Sequence, residues 1–88
     1  MVDDPRQRLV DATGDDEMLF ADGFDAAIVG YAQRCGEPIV VVYDAEKAVQ
    51  CLVDQGMTHD EAVEFFHFNT VDAWVGPRTP VFLFRPEE

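Results

Sequence analysis

At 88 residues the chain is a single domain, near the size at which one hydrophobic core leaves only a few kcal/mol of net stability and self-association often supplies the rest. Its 48% hydrophobic and 27% charged residues exclude wholesale disorder, and 18 acidic against 6 basic residues (net charge −12) exclude a basic footprint for nucleic-acid phosphates or an anionic membrane. No apolar run approaches the roughly 20 residues of a membrane span.

The acidity admits two readings. In one it is a solvated surface that promotes solubility, including in a salt-rich cytoplasm, since Asp outnumbers Glu and Lys47 is the sole lysine. In the other it is the charge pattern of a DNA mimic that occupies a basic groove on a host or defence protein. Cys35 and Cys51 have no CxxC spacing and no secretory leader precedes them, so reduced thiols in a cytoplasm are expected.

In chain order, residues 1–16 (MVDDPRQRLVDATGDD) are polar, hold a proline and a glycine, and read as a flexible acidic tail ahead of a small domain over 17–86. Residues 17–21 (EMLFA) form a short apolar run that meets Asp22-Gly23, a dipeptide favoured in tight hairpins because both residues accept positive φ, so a strand and a turn are expected. Residues 24–33 (FDAAIVGYAQ) give a second strand through Ile28, Val29 and Tyr31. A turn at Arg34-Cys35-Gly36-Glu37 leads through Pro38 into IVVVYD, the strongest strand signal in the chain. With Cys35-Gly36 as the loop, Ile28–Tyr43, Gly30–Val41 and Ala32–Ile39 pair on one face, and Val29–Val42 and Tyr31–Val40 on the other. Both faces are apolar, whereas a sheet wetted on one side alternates apolar with polar residues.

Asp44 is a good N-cap for 45–55 (AEKAVQCLVDQ), whose Ala45, Ala48, Val49, Leu52 and Val53 share one helical arc. Gly56 fits the position beyond its end, with Met57 as the following apolar residue. Cys51, at the edge of the arc, reads as a small buried thiol. Thr58 and Glu61 form a capping box for a second helix from His59. Its amphipathic pattern holds to Phe68 and then slips: Asn69 and Asp72 land on the apolar arc, Val71 and Trp74 on the polar side. Either Asn69 caps a second short turn, with Asp72 a favourable charge at its N-terminus, or the helix runs straight to Trp74 with both faces buried; a break or bend is expected. Gly76-Pro77 ends it, and 79–84 (TPVFLF) give a last strand, again apolar on both faces.

The expected architecture is α+β: a small antiparallel sheet, made of a three-strand meander plus a returning C-terminal strand, with two helices packed mainly on one face. Two-sided apolar strands then leave a surface for another molecule, most simply a second copy related by two-fold symmetry. Val29, Tyr31, Val40 and Val42, with Asn69, Val71 and Trp74 of the out-of-phase segment, are the candidate partner-binding residues. No P-loop, GxGxxG or GxSxG pattern is present. His59 and His67, roughly 80° and 12 Å apart on one helix, are too far apart to share a zinc ion unaided. No cofactor, metal ligand or catalytic residue is assigned.

The elements YD before the first of these helices, GMT before the second, EFFHFN, and AWVG followed by TPVF resemble a group of short uncharacterised proteins found in tailed phages and other prokaryotic viruses. The resemblance runs over roughly 20–84. The group carries Glu where His67 stands and Gly where Asp72 stands, so it assigns those positions no role. It implies a viral or prophage accessory protein acting in the host cytoplasm by binding a host or defence component, and it implies no activity or cofactor. Together these readings point to a homodimeric protein-binding protein without catalysis. The alternatives are a small-ligand binder or minor enzyme using residues 69–74, and the DNA mimic.

Overall fold

The computed structural model describes residues 4–71 and 73–86. Helix α1 (Pro5–Thr13) is followed by a 3-10 turn (Asp25–Ala27), strands β1 (Ile28–Ala32) and β2 (Val40–Asp44), helices α2 (Ala45–Asp54) and α3 (His59–Phe65), a π-helical turn (Phe66–Val71) and strand β3 (Val81–Leu83). The class is α+β, built on a three-stranded mixed sheet of order β1-β2-β3, with β1 antiparallel and β3 parallel to β2.

Helix α1 corrects the expectation of a tail over residues 1–16. The Asp4 carboxylate accepts from the amides of Arg6 (3.0 Å) and Gln7 (3.4 Å), Pro5 opens the helix, and Gly14 closes it at φ 71°. Leu9 is buried in the core. Arg6 reaches Asp22 (3.0 Å) and Asp25 (2.9 Å) and lies 5.0 Å over the Phe20 ring, so the helix is clasped to the loop that follows it. Residues 1–3 of the expected tail lie outside the described residues.

Residues 17–21 form no strand, which removes the first strand of the expected meander. Met18 is buried, and the Ala21 N–H donates to the Tyr43 hydroxyl at 2.7 Å, so the run packs onto the core as irregular chain. The turn at Asp22-Gly23 does form, but it leads into the 3-10 turn rather than a hairpin partner.

Between β1 and β2 the expected pair Ile28–Tyr43 is present, yet an irregularity between Ile28 and Gly30 shifts the rest: Gly30 faces Val42, Tyr31 faces Val41 and Ala32 faces Val40. One extra residue on β1 moves every later side chain to the other face. Tyr31 therefore shares the side of Val41, and Gly30 and Ala32 share the side of Val40 and Val42. Strand β3 adds Val81 beside Val42 and Phe82 beside Tyr43.

The core follows from this register. Val41 and Tyr43 are fully buried, with Ala45, Ala48 and Leu52 of α2, Ala62 of α3 and Phe66. Phe82 stacks on Tyr43 (5.6 Å) and meets Phe66 edge-on (5.1 Å), which joins sheet and helices through three rings. Helix α2 starts as the sequence indicates, with the Lys47 amide donating to Asp44 at 3.1 Å. It ends in a Schellman motif: Met57 N–H donates to the Leu52 carbonyl, Gly56 N–H to Val53, and Gly56 sits at φ 114°. The capping box of α3 is closed in both directions, at 3.0 and 3.2 Å.

At Phe66 the helix changes winding instead of breaking at Asn69 or running straight to Trp74. A π turn spaces its hydrogen bonds over five residues, so it inserts one extra residue and sets the apolar arc back by about 100°. That shift brings Val71, out of phase in a regular helix, against the core. Asn69 lies inside the π turn and makes no capping hydrogen bond among the described residues; Asp72, expected to support that cap, lies outside them.

Candidate functional site

The seven candidate residues divide into those that meet and those that do not. Val40 and Val42 are half-buried on the sheet side opposite Val41 and Tyr43, beside Val81 (46% exposed) and Leu83 (40%) of β3. Trp74, which a helix running straight would bury, is 75% exposed. It lines a groove of about 500 Å³ with Val40, Val81, Ala32, Pro38 and Pro77. Two candidates more than 30 positions apart, Val40 and Trp74, are thus brought to one place, and Val42 continues the same apolar face through its pairing with Val81.

The other candidates lie elsewhere. Tyr31 is half exposed but belongs to the side of Val41 because of the β1 irregularity. Val29 sits at that irregularity and lines a shallow cleft with Pro5, Arg8 and Leu9 of α1. Val71 is committed to the core. Asn69 opens into a second groove of about 430 Å³ lined by Leu19, Phe20, Phe24, Val75 and Phe82.

The turn that carries Trp74 is held by local chemistry. Gly76 takes φ 108°, Thr79 donates its hydroxyl to the Gly76 carbonyl (2.6 Å), and Val75 N–H donates to the same hydroxyl oxygen (2.9 Å). Arg78, two residues beyond Gly76, pairs with Asp15 at 3.0 Å across 63 positions of sequence. That pair holds the Asp15 carboxyl below the usual range, together with the hydrogen bond from the Glu17 backbone, which is the larger influence. Backbone strand pairing on one side and this pinned turn on the other fix the groove between them.

At the far end of β2, Asp44 is buried and serves three purposes: last residue of the strand, N-cap of α2 and acceptor for Arg85 beyond β3. Burial pushes its carboxyl up, but the Arg85 guanidinium and the Lys47 amide outweigh burial and hold it below the ordinary carboxylate range. Burial raises the Tyr43 phenol and the Cys51 thiol. Cys51 is half-buried and Cys35 exposed in the β1–β2 turn. His59 and His67 line a cleft between α2 and α3 with Glu46 and Phe84. Among the described residues no three metal-capable side chains converge, and no helix is long and apolar enough to cross a membrane.

Sequence reasoning did not place Val81 and Leu83 on the same side of the sheet as Val40 and Val42, because only the parallel pairing of β3, with Val81 opposite Val42 and Leu83 opposite Asp44, puts them there. No family model and no curated protein matches this chain, and no solved structure matches its fold.

Proposed function

We propose that the chain acts by protein–protein interaction, as a homodimer formed through the open side of its sheet, and that it performs no catalysis. The observation that carries the reading is the apolar surface of Val40, Val42, Val81 and Leu83 with the exposed Trp74 at its edge. Clustered exposed apolar side chains around an aromatic are the composition of a binding centre, and Trp is enriched at such centres. An 88-residue chain with a small core gains from covering that surface. The phage-like elements of the sequence support placing the protein in a host cytoplasm as a viral or prophage accessory factor, with a host or defence protein as a further partner. Sedimentation equilibrium at tens of micromolar tests the first part: a dimer is expected, and a monomer overturns it. Affinity capture from host lysate identifies the further partner.

A second reading has one observation in its favour. The groove at Asn69 has the volume of a small-ligand site and an apolar lining with Asn69, Thr70 and Thr79 as its polar groups. A thermal-shift screen of nucleotides and small apolar acids checks it; stabilisation by one of them would favour this reading, and none would remove it.

A further inference from the structure

The charge around the Trp74 groove indicates how two copies meet. The chain carries a net charge of −12, so two copies repel unless they approach through a locally neutral surface. The groove is such a surface: the charged residues in its lining are Arg34 and Glu37, one of each sign, on the β1–β2 turn. The Glu37 N–H donates to the Arg34 carbonyl at 2.9 Å, which fixes the two residues on one tight turn. Among the described residues neither side chain has an ion-pair partner in its own chain, whereas Arg6, Arg78 and Arg85 do.

Resting on the homodimer reading above, we infer that the two-fold axis passes through this groove, so that Arg34 of each copy pairs with Glu37 of the other while Trp74 and Val81 are covered. In an interface between identical surfaces, a contact of one residue with another is made twice, once in each direction. A neighbouring pair of opposite charges is therefore self-complementary, and it sets the orientation of the copies as well as their attraction. A basic partner would find little to neutralise in this groove and would address the acidic remainder of the surface instead.

Charge reversal with sedimentation of the full chain tests the pairing. Glu37→Arg raises the formal net charge from −12 to −10, so general repulsion falls and a dimer held without this pair tightens. The paired arrangement predicts the opposite, a dissociation constant about tenfold higher, because two attractions become two repulsions. Arg34→Glu is expected to weaken the dimer at least as much. The double exchange Arg34→Glu with Glu37→Arg restores the wild-type net charge and is expected to return the constant to within about threefold of wild type. A wild-type dimer that tightens or is unchanged with Glu37→Arg, or a double exchange no better than the singles, overturns the pairing and leaves the dimer standing. A wild-type monomer overturns both.

Discussion

The two sides of strand β2 carry the same kind of residue and have different fates. Val41 and Tyr43 are fully buried under α2, Phe66 and Phe82, while Val40 and Val42, one residue out of step, are only half covered and border Val81 and Leu83. Side-chain chemistry does not separate them; cover does. The chain has enough helix to seal one side of its sheet, and the other keeps an apolar surface that water does not favour.

The strongest way to break this comparison is to put a charge on each side in turn. Val41→Asp places a carboxylate in a fully buried site with no partner and is expected to abolish the cooperative thermal transition. A charge at Val81 has a solvent outlet in the single chain and is expected to leave a cooperatively folding protein, less stable in denaturant titration only by what dimer formation adds. Phe66→Ala removes the ring that joins α3 to Phe82 and is expected to cost about 3–5 kcal/mol by the same titration. Tyr43→Phe keeps the ring stack and leaves the Ala21 N–H without its acceptor, for about 1–3 kcal/mol.

The pH dependence is smaller and has two arms. The Tyr43 phenol titrates higher in the folded chain than in the unfolded one, so its contribution is intact below about pH 10 and is lost as pH rises beyond that value. The Asp44 carboxyl titrates lower when folded, so its contribution is intact at neutral pH and is lost as pH falls below about 4. Melting temperatures across pH show both arms; Tyr43→Phe is expected to flatten the alkaline one and Asp44→Asn the acid one.

What the sequence made legible was local. The hairpin strand IVVVYD, the Asp44 cap, the glycine end of α2 and the capping box of α3 each depend on residues within one or two turns, and each is present. The phase slip beyond Phe68 was visible as well, though its resolution by a π turn needs Phe66 and Val71 to face one core. Helix α1 is not legible although Asp4-Pro5 and Gly14 are start and stop signals, because Leu9 and Val10 are its only adjacent apolar residues and the Arg6 clasp is made by distant residues. Tyr31 was assigned to the wrong side because a single inserted residue on β1 leaves no mark in the composition. Val40 and Trp74 were legible singly, but their meeting depends on the parallel docking of β3, a pairing between segments almost 40 residues apart.

The central claim is that the open side of the sheet is where the molecule meets its copy. It is tested most directly by sedimentation velocity of Val81→Lys beside wild type at tens of micromolar. Lysine removes apolar cover and also lowers the net negative charge, so a dimer limited only by repulsion would tighten. The expected result is a wild-type dimer and a folded, monomeric Val81→Lys that still melts cooperatively, below wild type by the stabilisation that dimer formation lends. A Val81→Lys protein that sediments as a dimer as tight as wild type would contradict the account.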